Sequence, residues 1–488
     1  MDTIQNSLEA TKVATPATKT SWTIMLYIAA DGLLANFAVE SLKQLSKSAS
    51  TAPGNDDQAS VVVAAQFSID APGGQSIPRY IFNDSIGETL GSGTRDPLNA
   101  PDDMTEEQAL KNFLNWVYTN PECNKSTRYA LILWSHGPEL FLQPPPGRPT
   151  GDPASLYLAP DQLSQALKSC TPPGGSRLDI VGFDACSMSM FEMAYEIRDL
   201  ADYMVASQEE VPDPSFPYDR LIELFRKFGG NPDSLLKEGV QAYVSAYRDS
   251  ICGPITGMKP VTLSALRLNN CSSLKTAVDA LASALLDAQD DGDLPGLLIG
   301  ARQKSQDYAG GLYVDLAELC KQLNGRLNGS GSDVKKPIRA ACQGVLDALA
   351  EGSSDSLILE NYSADTTGNG ISIYFPYLSD EQSAQVDKPM VKGGRETVGK
   401  GFSVSDLLNN AAIGYRISAR RDLIMITESY YPRLQLVSDN TGKSWYDFIA
   451  GSWPRILIKT VPAELDLRYS ARQSAINLVS HGPTMLRK

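Results

Sequence analysis

Apolar runs alternate with helical patterns along the first half of this chain. Four runs are nearly continuous in apolar residues, as expected for strands buried on both faces of a parallel sheet. They lie at 22–30, 59–67, 128–134 and 177–183. Between them, segments 36–45, 105–118 and 161–169 carry apolar residues at helical spacing. This alternation predicts an α/β fold with a mostly parallel central sheet.

Composition and charge argue against some classes of function. The 488 residues carry a net charge of −14, and no stripe of lysine and arginine marks a nucleic-acid surface. No run reaches the roughly 18–20 apolar residues that span a bilayer, and residues 1–20 show no secretory signal. The seven cysteines are scattered without paired spacing, which is typical of free thiols in a reducing compartment. We therefore expect a cytoplasmic protein without nucleic-acid or membrane partners.

Two side chains with nucleophilic or acid–base chemistry follow strong strand patterns. Only two histidines occur, and His136 comes just after the run 128–134, whereas His481 lies in a segment without pattern. Cys186 holds the equivalent position after the run 177–183. Because parallel strands end at one edge of a sheet, where ligands bind in α/β folds, His136 and Cys186 are expected at the same edge.

A cysteine needs activation before it can attack a carbonyl group, because the thiolate is the nucleophile. His136 would accept the thiol proton of Cys186 and later protonate the leaving amine. Helical spacing over 188–200 predicts a helix whose first N–H groups favour the thiolate and an oxyanion. The N–H groups of Gly137 and Cys186 are the predicted oxyanion donors.

Alternatives stay open on the residues alone, since a cysteine after a strand is often a small buried apolar residue. Two other catalytic arrangements do not fit. Papain-like enzymes place cysteine before histidine, and an α/β-hydrolase elbow needs glycine two positions either side of the nucleophile, where Asp184 and Met188 stand. Two distant histidines and no close cysteine pair give no metal cluster.

Five sequence blocks together resemble the clostripain family, of the caspase–gingipain–legumain clan. They are WTIMLYIAAD (22–31), ALILWSHG (130–137), GFDACSMSMFEMAYE (182–196), VASQE (205–209) and NGISIYFP (369–376). GKSWYDF (442–448) is similar more loosely. The resemblance implies a caspase-like three-layer α/β sandwich. It also implies a cysteine endopeptidase that cleaves after basic residues, chiefly arginine, with a dyad of His136 and Cys186.

The resemblance also suggests how a basic side chain would be bound. Asp184 matches a family aspartate of the pocket for the residue before the scissile bond, and a carboxylate can hold a guanidinium through two hydrogen bonds. The alternative is that Asp184 caps the following helix. Further candidates for substrate binding are Asp31, Ser207, Glu209, Glu210 and Asp213.

Family members are often zymogens that are cut between histidine and cysteine. Arg148 is the one basic residue in the Pro-rich segment 138–153, but Pro149 follows it and disfavours self-cleavage, so an upstream protease is an alternative. Related clan members act in bacterial defence or signalling cascades, which suits a cytoplasmic chain. Some members depend on calcium, yet no Asp-rich loop of EF-hand type occurs here, so no cofactor is expected.

These patterns divide the chain into four parts. We predict a flexible tail (1–20), a catalytic half with histidine and cysteine (21–225), a second half of the catalytic region (226–380) and a C-terminal region (381–488). A catalytically silent caspase-like scaffold or binding protein is the alternative function, with the C-terminal region as its partner-binding part.

Overall fold

The computed structural model describes most of the chain between residues 20 and 456. The described residues are 20–29, 34–49, 58–67, 69–71, 74–76, 78–83, 104, 106–135, 158–175, 177–212, 215–249, 261–327, 335–363, 368–377, 431–439, 442–453 and 456.

The strands of this part of the chain follow the predicted apolar runs and add shorter ones. In chain order they are β1 (Ser21–Ile28), β2 (Ser60–Phe67), β3 (Ile69–Ala71), β4 (Gly74–Ser76), β5 (Arg79–Phe82), β6 (Arg128–Trp134), β7 (Leu178–Asp184), β8 (Ala201–Ala206), β9 (Thr262–Arg267), β10 (Asp307–Tyr308), β11 (Tyr313–Asp315), β12 (Ile358–Ser363) and β13 (Ser372–Tyr374).

Helices connect most of these strands. In chain order they are α1 (Leu34–Ala49), α2 (Glu107–Thr119), α3 (Pro160–Ser169), α4 (Phe191–Glu196), α5 (Tyr218–Phe228), α6 (Pro232–Asp249), α7 (Cys271–Asp287), α8 (Leu294–Lys304), α9 (Leu316–Leu327), α10 (Lys335–Ala348), α11 (Gln435–Ser438) and α12 (Trp445–Asp447), followed by a π-helical turn (Phe448–Ser452).

An eight-stranded sheet with the order β12-β9-β8-β7-β6-β1-β2-β5 forms the centre of the fold. Its five inner strands, from β8 to β2, run parallel. At one edge β5 pairs antiparallel with β2, and at the other β9 pairs antiparallel with β8 and β12 pairs antiparallel with β9. A second sheet, β10-β11-β13, is antiparallel and three-stranded. The predicted α/β fold with a mostly parallel central sheet is therefore confirmed.

Two apolar layers cover the two faces of the large sheet, and β1 shows why its strands read as continuous apolar runs. Trp22, Ile24 and Leu26 pack into one layer with α1, α5 and α6. Met25 and Tyr27 alternate with them and pack into the other layer, with α2, α3 and α7. Because successive side chains of a strand point to opposite faces, a strand covered on both sides needs apolar residues at every position.

The predicted helices and strands of the second half, at 233–247, 272–290, 335–350, 260–268, 311–315 and 370–375, correspond to α6, α7, α10, β9, β11 and β13. The predicted helix over 188–200 is wrong in its start. α4 begins at Phe191 and has six residues. It therefore begins five positions after Cys186, and the intervening chain forms a loop.

Two segments near the C-terminus, 431–439 and 442–453, pack against the part of the fold that carries Cys186. Arg433 forms an ion pair with Asp161 of α3 at 2.7 Å. The backbone N–H of Gln435 donates to Glu196 of α4 at 2.8 Å. The Trp445 indole donates to the carbonyl oxygen of Tyr374 in β13 at 2.9 Å.

The helices in the described part of the chain are all too short or too polar to cross a membrane.

Candidate active site

The ends of β6 and β7 are level with each other at the carboxyl edge of the sheet. Trp134, the last residue of β6, pairs with Asp184, the last residue of β7. The next residue, Ser135, donates its N–H to the Asp184 carbonyl oxygen at 3.3 Å. His136 and Cys186 each come two positions after this matched pair. His136 lies outside the described residues, so its distance from Cys186 stays a prediction.

Cys186 differs from the other cysteines that the structure describes. It is partly exposed, whereas Cys123, Cys170, Cys271, Cys320 and Cys342 are buried. The backbone N–H of Val211 points at its sulfur, with a distance of 3.4 Å between N and Sγ. An N–H donor favours the charged form of an acceptor, so this contact favours a thiolate, whereas the Val211 carbonyl oxygen, 4.0 Å from the sulfur, can accept from the neutral thiol.

The loop that carries Cys186 comprises residues 185–190 and is called the Cys186 loop. It is a tight turn supported by the chain that follows β8. Ser187 adopts φ +55°, a left-handed conformation that side chains other than glycine seldom take. Its N–H donates to the Glu209 carbonyl oxygen at 3.0 Å, and the Ser189 N–H donates to that of Ser207 at 2.8 Å. These two N–H groups are thus engaged by the neighbouring loop, so they are not the donors from a helix start that were predicted for the thiolate and the oxyanion.

The opposite side of the Cys186 loop is supported by residues just before β13. Ser189 donates its hydroxyl to the Gly370 carbonyl oxygen at 2.6 Å, and the Ser372 N–H donates to the Ser189 carbonyl oxygen at 2.9 Å. Gly370 has φ +98°, and a Cβ atom there would lie 2.9 Å from Cδ1 of Ile358. Glycine is required because a side chain would be strained and would also clash.

Asp184 is buried and does not cap α4, whose N-cap residue is Met190, so the helix-cap alternative is wrong. Its Oδ2 accepts hydrogen bonds from the hydroxyl of Ser215, from the Tyr218 hydroxyl at 2.7 Å and from the Phe216 N–H at 3.2 Å. Its Oδ1 is buried and has no hydrogen-bond partner among the described residues. Burial raises the pKa of Asp184 to about 6, and the three hydrogen bonds oppose this rise.

Ser215 and Tyr218 gave no signal in the sequence, because they lie 31 and 34 positions from Asp184. Ser215 has φ +69°. Its hydroxyl also accepts from the Trp134 indole, and its carbonyl oxygen accepts from the Tyr247 hydroxyl. The 215–218 turn is therefore held against the ends of both β6 and β7.

An apolar cavity of about 50 Å³ lies on the same face of the sheet as the Asp184 side chain. Gly182, two positions before Asp184, lines it together with Phe216 and Tyr243. The Tyr243 hydroxyl is buried, and within the described ranges it has no hydrogen-bond partner.

Three more predicted substrate-binding residues are described, and all lie in the loop after β8. Glu210 is exposed, whereas Ser207 and Glu209 are buried. Ser207 is fully buried, and its hydroxyl hydrogen-bonds that of Thr262 at 3.0 Å. Glu209 is 6% exposed, and its N–H donates to Thr262 Oγ1 at 3.1 Å. In this conformation Ser207 and Glu209 support the loop, and Thr262 is a supporting residue that the sequence did not reveal.

The other candidate residues lie outside the described part of the chain. They are Asp31, His136, Gly137, Arg148 and Asp213. Within the described part, histidine, cysteine, aspartate and glutamate side chains form no group of three that could hold a metal ion.

Comparison with known proteins identifies the family. A family model described as the clostripain family matches residues 26–386. The chain belongs to the clostripain family. This confirms the predicted membership of a family of cysteine peptidases.

The relatives are distant. Clostripain from Hathewaya histolytica is 25% identical over 265 residues, which make up 45% of this chain and 48% of that protein. The chain thus matches about half the length of this curated relative.

Two solved structures share the fold. A secreted C11 cysteine protease from Bacteroides thetaiotaomicron, in complex with an irreversible peptide inhibitor, is 18% identical with a TM-score of 0.50, over 76% of this chain and 97% of that chain. An inactive zymogen C11 protease from Parabacteroides distasonis is 15% identical with a TM-score of 0.51, over 74% and 93%. At these identities the likeness shows the fold alone, and it agrees with the predicted caspase-like sandwich.

Proposed function

We propose that this protein is a cysteine endopeptidase that cleaves after basic residues, chiefly arginine, with Cys186 as nucleophile and His136 as proton-transfer partner. The observation that carries the proposal is the placement of Cys186. It is the one partly exposed thiol among the described cysteines, it sits in a strained turn at the carboxyl edge of the sheet, and a backbone N–H points at its sulfur.

The proposed reaction has two steps. The Cys186 sulfur, having given its proton to His136, bonds to the carbonyl carbon of the scissile peptide, and the carbonyl oxygen becomes an oxyanion that the N–H groups of Gly137 and Cys186 would stabilise. The C–N bond then breaks as His136 returns the proton to the leaving amine. Water, deprotonated by His136, attacks the thioester and releases the acid and the free thiol.

Asp184 supports the proposed preference for basic residues. A buried carboxylate oxygen without a donor is costly, and a cationic side chain would supply the missing donor to Oδ1. Asp184 is only 2% exposed. A substrate would therefore reach it only after neighbouring groups move, which supports the proposal that the protein is made in a latent form and is switched on by an upstream protease, at Arg148 or elsewhere.

The remaining parts of the proposal concern where in the cell the protein acts and in which process. We propose a cytoplasmic location and a role in a bacterial proteolytic signalling or defence cascade, with protein substrates that carry basic residues. Fractionation of native cells followed by immunodetection tests the location, and recovery of the protein outside the cell would overturn that part.

The activity is tested with fluorogenic peptides that end in arginine, assayed before and after limited proteolysis within 138–177. We expect turnover that increases on nicking and disappears in Cys186→Ala and His136→Ala. Turnover by Cys186→Ala equal to that of the unaltered protein would refute the assignment. Full activity of the intact chain would refute latency alone.

The alternative of a catalytically silent scaffold is distinguished by covalent labelling. An arginyl acyloxymethyl ketone should label Cys186 stoichiometrically in a peptidase, because it needs an activated thiol beside a pocket for a cation. Labelling no faster than that of a simple thiol, together with absent turnover, would favour the scaffold.

A further inference from the structure

Gln208 lies in the centre of the loop that supports Cys186. Residues 207–211 follow β8 and contact the Cys186 loop through the carbonyl oxygens of Ser207 and Glu209 and the N–H of Val211. Gln208 is fully buried, although a long polar side chain is seldom buried unless it is paired.

The Gln208 carboxamide joins two other parts of the fold. Its Nε2 donates to Oδ2 of Asp315, at the end of β11, at 3.1 Å. Its Oε1 accepts from the Gly370 N–H, just before β13, at 2.8 Å. The backbone N–H of Gln208 donates to Thr262 Oγ1 in β9 at 3.0 Å.

Gly370 links this amide back to the Cys186 loop. Its N–H donates to Gln208, and its carbonyl oxygen accepts from the Ser189 hydroxyl. The Cys186 loop therefore lies between two supports, 207–211 and 370–372, and the Gln208 side chain connects one support directly to the other.

We propose that Gln208 is a positioning residue for the nucleophile. By fixing the spacing of these two supports, its amide holds the Val211 N–H against the Cys186 sulfur and keeps the Ser187 turn in its left-handed conformation. The inference rests on the proposed role of Cys186 as nucleophile, and it is independent of the substrate.

Gln208→Met tests the inference, because methionine keeps the length of the side chain and removes both hydrogen bonds. The rate of alkylation of Cys186 by iodoacetamide is measured from pH 5 to 9 with peptide mass mapping, which separates Cys186 from the other thiols. We expect alkylation at neutral pH to slow roughly 10-fold and kcat on an arginyl peptide to fall about 10- to 100-fold, with little change in KM, as for a nucleophile displaced by about 1 Å.

Gln208→Glu supplies a pH signature. It would place a carboxylate next to Asp315, and two buried carboxylates that share one proton repel each other once both ionise. The rate of the variant relative to the unaltered protein should therefore fall as pH rises. Circular dichroism at each pH establishes that the variant is still folded, so that a fall in this ratio reports on the Cys186 loop and not on unfolding.

Val345→Ala is the matched control. Val345 is fully buried in α10, which packs on α7 and α9, so its truncation lowers the melting temperature without touching either support. The inference is overturned if Gln208→Met alkylates and turns over like the unaltered protein, or if Val345→Ala reproduces its loss. A slowed Gln208→Met in a protein without peptide turnover would support the positioning role and refute the proposed peptidase activity.

Discussion

Two buried aspartates, Asp184 and Asp315, are the last residues of strands near the Cys186 loop, but their carboxylate oxygens are hydrogen-bonded in different ways. Both oxygens of Asp315 are engaged: Oδ1 accepts from the Glu318 N–H at 2.8 Å and from the Asn369 side-chain amide at 3.1 Å, and Oδ2 accepts from Gln208 and from the Asn369 N–H at 2.7 Å. Asp184 accepts from three donors on Oδ2, while no described residue donates to Oδ1.

The difference separates a carboxylate whose two oxygens are both hydrogen-bonded from one that keeps an acceptor for the proposed cationic ligand. Burial raises the pKa of both groups, so burial alone does not distinguish them. The two groups differ in how their hydrogen-bond donors are divided between the two carboxylate oxygens. Asp315 joins β11, α9 and the chain before β13, whereas Asp184 keeps a buried acceptor for which the described residues offer no donor.

The largest expected effect is on catalysis. Asp184→Asn keeps the shape of the side chain and removes its charge, so kcat/KM for an arginyl peptide should fall roughly 100- to 1,000-fold, as when one partner of a buried charge pair is lost. Steady-state kinetics on arginyl and uncharged peptides would measure it. If arginyl cleavage survived in Asp184→Asn, the distinction between the two aspartates would lose its functional meaning.

The next effect is on stability. Asp315→Ala leaves four donors, from three residues, without their acceptor, and each buried unsatisfied group costs about 1–3 kcal/mol before relaxation. We expect the free energy of unfolding to fall by roughly 3–4 kcal/mol in urea titrations. A loss below about 1 kcal/mol would show that Asp315 is not the structural member of the pair.

A third effect is the pH dependence of stability. Asp184 keeps its proton in the folded state up to a pKa of about 6, whereas its ordinary value is 3.8. Between these values the folded state binds more protons, so the contribution of Asp184 to the free energy of unfolding decreases as pH rises from about 4 to 6, by at most about 3 kcal/mol.

Asp184→Asn lacks this titration. Urea unfolding at pH 4 and pH 7 should therefore show the unaltered protein losing stability relative to the variant as pH rises, with no further relative change above the window. Parallel curves for the two proteins would mean that Asp184 titrates normally.

The smallest effect concerns packing beneath Asp184. A Cβ atom on Gly182 would have Cγ1 of Ile132 as its nearest neighbour, at 3.5 Å, in ordinary contact beside the apolar cavity. Gly182→Ala should raise the free energy of unfolding by about 0.5–1 kcal/mol, visible as a higher melting temperature. Gly229→Ala is the opposite control, because its Cβ would overlap the carbonyl oxygen of Phe225, and a gain there would contradict the packing argument.

The sequence was most informative where apolar runs were long. β1, β6 and β7 were predicted because strands buried on both faces must be apolar throughout. α8 was missed because its sequence, LPGLLIGARQK, has two glycines, which weaken a helical pattern. β12 was missed because ILENYS, at the edge of the sheet, has only its first two residues buried.

The candidate site likewise has one part that the sequence predicted and another that it did not. The matched strand ends that place Cys186 were predictable, since they depend on local patterns and on the rule that parallel strands end at one edge. The donors around Asp184 were not, because Ser215 and Tyr218 reach it only after the chain has passed through β8. Likewise, the role of Gln208 depends on Asp315 and Gly370, which lie 107 and 162 positions away.

By itself, then, the sequence determined the α/β architecture and the family, and it supplied the candidates for the proposed chemistry, because burial on both faces and the order of strands are encoded locally. Only the tertiary structure decided which carboxylate is satisfied, which amide connects the supports of Cys186 and where α4 begins. Those outcomes depend on hydrogen bonds between residues far apart in the chain, and no periodicity records which donor a folded chain will bring to a given acceptor.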